Sequence, residues 1–151
     1  MRQARASGIV TSRGFGHRDD LVITAPLTPV HQNVRLAARS PGTSKTVHAL
    51  GNPSKALNGV LWGYNQGHVR QVGRLETTYE NGQEVDASVV MTENPINSGD
   101  SGGPLVNDEG ELVGVCSADE SNLKVSYFID VREIKKILNR LDKGTPPTTK
   151  P

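Results

Sequence analysis

The sequence predicts an all-β protein built as a sandwich or barrel, and three observations predict it. The chain has 151 residues, which suits one compact domain with a sizeable core. It contains 16 glycines and 9 prolines but only 4% aromatic residues, a composition typical of many short strands joined by turns. Only one segment, near the C-terminus, has the periodicity of a convincing helix.

Two short strands are predicted at the start of the chain, at residues 4–11 and 21–24. The glycines within residues 12–16 mark a turn between them, so we expect the two strands to pair as neighbours. Residues 25–30 carry two prolines, which argue against a central strand. This segment is therefore interpreted as a linker to a second unit.

The following part of the chain is rich in strands and turn signals. Strands are predicted at 46–50, 60–64, 68–75, 75–79, 85–91, 104–106 and 112–117. Gly51-Asn52-Pro53 ends the first of these, and Asn81-Gly82 is a type I′ hairpin signal between the strands on either side of it. Residues 107–110 predict a turn that joins the last two strands.

The predicted helix covers residues 130–143. Asp130 can cap its first turn, and Glu133 lies three residues later, as in a capping box. Its apolar face consists of Val131, Ile134, Ile137, Leu138 and Leu141. Gly144 and Pro146 stop the helix, and residues 144–151 are expected to form a solvated tail.

Composition excludes several classes of function. The chain carries 17 basic and 16 acidic residues without a basic block, so no nucleic-acid partner is expected. No apolar stretch approaches the roughly 20 residues of a membrane span, and no signal peptide is recognisable in the first 15 residues. The scattered histidines have no metal-ligand spacing and the glycines form no phosphate loop, so neither metal nor cofactor is expected. The single cysteine, Cys116, is interpreted as a small core residue.

The most specific signal is the heptad G-D-S-G-G-P-L at residues 99–105. A serine hydroxyl is a poor nucleophile unless a base activates it and donors hold the developing oxyanion. Glycines around the serine allow backbone N–H groups to approach a substrate and point into a cleft. The heptad resembles the nucleophile loop of trypsin-like serine proteases, which implies Ser101 as the nucleophile and the backbone N–H groups of Gly99 and Ser101 as the oxyanion hole.

The resemblance extends over most of the chain. Gly51-Asn52-Pro53, residues 94–98, residues 106–114 and residues 127–130 are similar to segments of HtrA/Deg-like bacterial proteases. This resemblance implies a trypsin-like double β-barrel with a C-terminal helix, in which the first barrel is incomplete. The domains it implies are a remnant of the first barrel at 1–30, the second barrel at 31–129, the helix at 130–143 and the tail at 144–151.

The remaining catalytic groups follow from the same resemblance. Asp20 precedes an apolar run and matches the aspartate that orients the catalytic histidine. That histidine should lie a few tens of residues before Asp20, but only 19 residues precede it, and His17 is too close to serve. His31, His48 and His68 follow Asp20 and are interpreted as surface or strand-face residues. The general base is thus unassigned, and we expect the chain to lack the first strands of the first barrel.

Specificity and function complete the prediction. Pro95 stands where relatives that cleave after lysine or arginine have an aspartate, and Ile96, Cys116 and Ala118 favour a small or apolar substrate side chain. The sequence predicts a serine endopeptidase that acts on polypeptides through an acyl-enzyme and is weak or inactive as this chain alone. The alternative is a non-catalytic, protease-like module that binds peptides or a partner. A full-length relative is expected to be extracytoplasmic.

Overall fold

The computed structural model describes residues 9–11, 22–24, 33–53, 63–78, 84–120 and 124–143. Its elements in chain order are β1 Ile9–Thr11, β2 Val22–Thr24, β3 Thr46–Gly51, β4 Gly63–Thr78, β5 Glu84–Thr92, β6 Pro104–Val106, β7 Leu112–Glu120, β8 Val125–Asp130 and helix α1 Val131–Asp142. The protein is therefore mostly β, as predicted, with one helix in the described part.

A closed barrel of six antiparallel strands forms the centre of the fold. The strand order is β3-β4-β5-β8-β7-β6, and β6 pairs back with β3 through His48 opposite Val106 and Ala49 opposite Leu105. Alternate side chains along each strand point inward, as the pleat requires. They form a core of Ala37, Val47, Ala49, Val69, Val90, Leu105, Val113, Cys116 and Phe128.

Strand β4 is longer than predicted. Three strands were expected in this region, but β4 runs without a break from Gly63 to Thr78. Residues 63–68 pair with β3 and residues 69–78 pair with β5, and a register shift between Val69 and Gln71 lies at the start of the ladder with β5. Such a bulge bends a strand without ending it, which is how one strand can follow the curve of a barrel. Gly67 lies inside the first ladder, opposite Val47, and Gly73 inside the second, opposite Val89.

Other strand predictions can be compared directly. β1 and β2 pair antiparallel with Ile9 opposite Thr24, which confirms the predicted neighbours. β4 and β5 form the predicted hairpin, while Asn81-Gly82 lies outside the described residues. The turn between β6 and β7 is also confirmed, with Gly110 at φ +71° and its N–H donating to the Asn107 carbonyl at 3.0 Å. Strand β8 was not predicted, and β7 extends three residues further than expected.

Helix α1 begins where the sequence predicted and is capped by Asp130, whose carboxylate accepts a hydrogen bond from the Arg132 N–H at 2.8 Å. The capping-box interpretation of Glu133 was wrong. Its Oε1 accepts instead from the backbone N–H of Ser88 on β5 at 3.3 Å and from Lys136 Nζ at 2.9 Å. Glu133 therefore ties the helix to the barrel rather than closing its own first turn.

The helix also holds the segment that leads into the barrel. Ile134 packs in a second apolar cluster with Leu112 and Val115 of β7. Lys135 Nζ donates to the carbonyls of Ala37 at 2.6 Å and Ala38 at 2.8 Å. Residues near both ends of the described barrel region are thereby joined. The predicted domain boundaries stay predictions.

Candidate active site

The predicted nucleophile lies on the loop of residues 93–103, between β5 and β6. Gly99 has φ +104° and Gly102 has φ +84°, a region that residues with a Cβ rarely adopt. Ser101 stands between these two glycines and is exposed to solvent. The local sequence thus turns the backbone sharply on both sides of a hydroxyl that it presents at the surface.

Asn94 anchors the start of this loop and is only 1% exposed. Its Nδ2 donates to the Asn65 side-chain oxygen at 2.9 Å and to the Val47 carbonyl at 3.4 Å. Its backbone carbonyl accepts from the Ser126 hydroxyl at 2.6 Å. One carboxamide therefore connects the loop to β3 and β4, while the adjoining carbonyl connects it to β8. The sequence analysis did not identify this anchor, because its partners are remote in sequence.

The end of the loop is fixed to β7. The Gly102 N–H donates to the Cys116 carbonyl at 2.9 Å, and the Cys116 N–H donates to the Gly103 carbonyl at 2.8 Å. Gly103 also lies directly against the Leu50 carbonyl of β3, where no side chain would fit. The residues that follow Ser101 are consequently held between two strands of the barrel.

Asp100 folds back beneath the loop and is 7% exposed. Its Oδ2 accepts from the Asn97 N–H at 2.8 Å, and its own N–H donates to the Asn97 carbonyl at 3.0 Å. Its Oδ1 is buried and has no hydrogen-bond partner among the described residues. Gly51 makes room for this carboxylate, since a Cβ placed there would lie 2.5 Å from Asp100 Cγ.

The backbone amides of the loop differ in how they are used. Gly102 and Gly103 donate their N–H groups to carbonyls inside the protein. The N–H groups of Gly99 and Ser101 donate no hydrogen bond to any described residue. These are the two amides that the sequence assigns to an oxyanion hole. Because no described residue accepts from them, both can donate to an acceptor on a substrate.

The family model described as Trypsin matches residues 9–138 of this chain. The chain belongs to the trypsin family. The Do-like serine protease HtrA of Bacillus subtilis is 32% identical over 103 residues, which cover 66% of this chain and 22% of that protein. The serine protease HTRA1B of Danio rerio is 32% identical over 138 residues, covering 85% of this chain and 26% of that protein.

Solved structures agree with the fold. The active form of the Rv3671c protease from M. tuberculosis superposes with a TM-score of 0.70 at 22% identity, covering 86% of this chain and 57% of that one. The chain spans between 22% and 31% of the length of the curated relatives it matches. It is a trypsin-like serine protease domain whose relatives are HtrA proteases, as the sequence predicted.

Two of the three predicted pocket residues can be located in this trypsin-family domain. Cys116 is 4% exposed and belongs to the barrel core, and Ile96 is half-buried against the same cluster. Ile96 lies on the loop that carries Ser101 and Cys116 lies on β7, and Ile96 packs against the apolar cluster to which Cys116 belongs. Outside the described residues lie Asp20, His17, His31 and the side chain of Ala118. Asp20 and the substrate pocket therefore stay predictions.

Two histidines fall in the described part of the trypsin-family domain, and each is paired with a carboxylate. His48 Nε2 lies 2.9 Å from Asp108 Oδ1, and His68 Nδ1 lies 2.8 Å from Glu93 Oε1. Neither histidine is hydrogen-bonded to Ser101. Within the residues that the structure describes, no imidazole is in place as the base of the serine.

Among the described residues, no group of three or more histidine, cysteine, aspartate or glutamate side chains is arranged to hold a metal ion. None of the described helices has the length and apolar character needed to span a membrane.

Proposed function

We propose that this domain is a serine endopeptidase in which Ser101 is the nucleophile and the N–H groups of Gly99 and Ser101 bind the oxyanion. The observation that supports it is that Ser101 is exposed between two glycines of positive φ. In addition, the N–H groups of Gly99 and Ser101 donate no hydrogen bond to any described residue. Preorganised backbone donors are an effective way to stabilise a tetrahedral intermediate, and each is worth about 10²–10³ in kcat.

The proposed reaction has two steps. Ser101 Oγ forms a bond to the peptide carbonyl carbon while its proton passes to a general base, and the carbonyl oxygen becomes the oxyanion. The leaving amine takes the proton as the C–N bond breaks, which leaves an acyl-enzyme. Water then hydrolyses the ester and regenerates the hydroxyl. Asp20 is proposed to orient the base, which is a histidine in the family and is unassigned in this chain.

The hydrogen bonds of His48 and His68 support leaving both out of this role. A histidine that serves Ser101 must reach its hydroxyl at hydrogen-bond distance. Neither described histidine does so, since His48 is bonded to Tyr64 and Asp108 and His68 to Glu93.

The proposed substrates are polypeptides with a small or apolar side chain at the position before the cleaved bond. Ile96 supports this because it is a half-buried apolar residue on the nucleophile loop, and Cys116 because it belongs to the apolar cluster against which Ile96 packs. Pro95 supports it as well, because it offers no charge to neutralise a basic side chain. The full-length protein is proposed to act outside the cytoplasm, as expected from the resemblance to HtrA proteases.

Labelling with a fluorophosphonate tests the proposal, since the reagent reacts with an activated serine hydroxyl. The adduct is located by mass spectrometry of proteolytic fragments. We expect it on Ser101, absent in Ser101→Ala and retained in Ser98→Ala, a control on the same loop. A folded protein that binds peptides but takes no label would be a non-catalytic binding module instead.

A further inference from the structure

Three side chains outside the proposed active site form a hydrogen-bonded chain on the outer face of the barrel. His48 of β3 lies between Tyr64 of β4 and Asp108 of the turn after β6. His48 Nδ1 is 2.9 Å from the Tyr64 hydroxyl, and His48 Nε2 is 2.9 Å from Asp108 Oδ1. The two rings are stacked with centroids 5.8 Å apart and planes inclined by 16°.

The acceptor on one side determines where the protons are. An ionised carboxylate can only accept, so the hydrogen on Nε2 of His48 points to Asp108. In the neutral ring, Nδ1 then has a lone pair and no hydrogen, so the Tyr64 hydroxyl donates to it. The cluster therefore joins a hydroxyl to a base, and the base to a carboxylate that orients it.

Exposure makes the hydroxyl accessible while the base stays sheltered. Tyr64 is 62% exposed, whereas the His48 side chain is only 19% exposed. His48 is held by the strand ladder on both sides, opposite Gln66 of β4 and Val106 of β6. The ladder fixes the backbone of His48 and the hydrogen bonds at both ring nitrogens orient its imidazole, while a reagent in solution can approach the phenol oxygen.

A second histidine on the same barrel shows that this arrangement is more than an ion pair. His68 also contacts a carboxylate, with its Nδ1 2.8 Å from Glu93 Oε1. Among the described residues, no hydroxyl is hydrogen-bonded to its other ring nitrogen. Of the two histidines in the described residues, only His48 is joined to both a hydroxyl and an orienting carboxylate, which is the general pattern of an activated nucleophile.

We propose that Tyr64 is a second nucleophile of this domain and accepts acyl groups from activated aryl esters. The Tyr64 oxygen forms a bond to the ester carbonyl carbon, and its proton passes to His48 Nδ1. The bond between the carbonyl carbon and the aryl oxygen then breaks, and the phenolate leaves. The products are an O-acyl tyrosine, the released phenolate and a proton that the imidazole returns to solvent. Asp108 stabilises the imidazolium during the transfer.

The test uses p-nitrophenyl acetate on the purified protein carrying Ser101→Ala, so that the proposed protease nucleophile cannot contribute. Acetylation of individual tyrosines is followed by mass spectrometry of fragments, with half-buried Tyr127 as the internal reference. A positioned base contributes typically 10²–10⁴ to a proton-transfer step. We therefore expect His48→Gln to slow acetylation of Tyr64 about 10²-fold.

Matched variants separate the roles of the three residues. Asp108→Asn keeps an acceptor for Nε2 but loses the charge, and we expect about a tenfold slower reaction. Tyr64→Phe is expected to abolish the modification at this position. His68→Gln changes the comparison histidine and is expected to leave the rate at Tyr64 unchanged.

A chemical rescue distinguishes catalysis from support of the local structure. Imidazole also reacts with the ester to give N-acetylimidazole, which acetylates tyrosines directly, so its effect is compared between proteins with and without His48. In His48→Ala, added imidazole can take the proton but cannot restore the strand contacts, so we expect it to accelerate acetylation of Tyr64 several-fold more than in the protein that retains His48. Equal rates at Tyr64 in the His48→Gln and unsubstituted proteins would overturn the proposal. A slow His48→Ala variant that imidazole accelerates no more than the protein that retains His48 would do the same, since it indicates a packing role.

Discussion

Gly51 supports the nucleophile loop through the space it leaves for Asp100, and Gly51→Ala tests that support. The three nearest atoms to the added methyl group all belong to the Asp100 side chain, with Cγ at 2.5 Å and Cβ at 2.9 Å. Carbon atoms are most stable about 3.5–4.0 Å apart, so the methyl group and the carboxyl carbon must separate by about 1 Å. Asp100 is buried and hydrogen-bonded to Asn97, so the loop must move with it.

The expected effect has two parts. Forcing a methyl group into a closely packed site costs about 1–3 kcal/mol of unfolding free energy. A displacement of about 1 Å at a catalytic group can reduce its reactivity about 10²-fold. We expect urea denaturation to give the first value and the rate of fluorophosphonate labelling at Ser101 to show the second.

A matched glycine and a second substitution complete the design. Gly73 also lies inside a strand, but a Cβ there would be 3.6 Å from its nearest neighbour, Gln71 Nε2. Gly73→Ala should therefore be neutral or stabilising by about 0.5 kcal/mol. Asp100→Gly removes the three atoms nearest to the Gly51→Ala methyl group. The loss of unfolding free energy in the double variant should therefore be smaller than the sum of the losses in the two single variants, by about 1–3 kcal/mol. Additive effects, or equal stability of Gly51→Ala and Gly73→Ala, would refute the reasoning.

The remaining predictions concern helix α1 and use urea denaturation. Asp130→Ala removes the cap from the Arg132 N–H and should cost about 1–2 kcal/mol, whereas an unchanged midpoint would contradict the cap. Burial raises the pKa of Glu133, but hydrogen bonds from Lys136 and Ser88 outweigh it and hold the pKa below its usual range. The ionised Glu133 therefore stabilises the fold fully above its pKa in the unfolded chain, about 4.3, and this stabilisation is lost as the pH falls through its lower pKa in the folded protein. Glu133→Gln should consequently make the unfolding free energy fall less steeply with decreasing pH in this acid range. Ile134→Ala should cost about 2–5 kcal/mol because the residue is 3% exposed, and Leu141→Ala, at 46% exposed, should cost little.

Much of the barrel could be predicted because its signals are local. The strands at β3, β6 and the start of β7 follow from short apolar runs between turn residues, and the turn at 107–110 follows from its composition. The helix follows from its periodicity and from Asp130. Strand β4 could not be predicted as one element, because its continuity depends on pairing with β3 and then with β5. No local pattern encodes the register shift between Val69 and Gln71, because it exists only in the pairing with β5.

The same distinction applies to the site. Ser101 and its glycines were identified from seven consecutive residues, and the structure gives Gly99 and Gly102 the unusual torsions that glycine permits. The support beneath them was missed, because Asn94 contacts Val47 and Asn65, and Asp100 contacts Gly51, across 29 to 49 positions of sequence. These contacts depend on barrel closure, which no short motif encodes. The partner of Glu133 was predicted wrongly for the same reason, since Ser88 is 45 residues away.

The ammonium group of Lys135 has a consequence for how the chain could be shortened. It donates hydrogen bonds to the carbonyls of Ala37 and Ala38, almost a hundred positions upstream. The adjacent Leu36 forms a β-bridge with Leu112. A protein trimmed after β8 would retain every strand of the barrel and the backbone hydrogen bonds between residues 35–37 and Leu112, but it would lose both hydrogen bonds from Lys135. The rate of limited proteolysis near residue 38 would consequently report on whether the helix is docked.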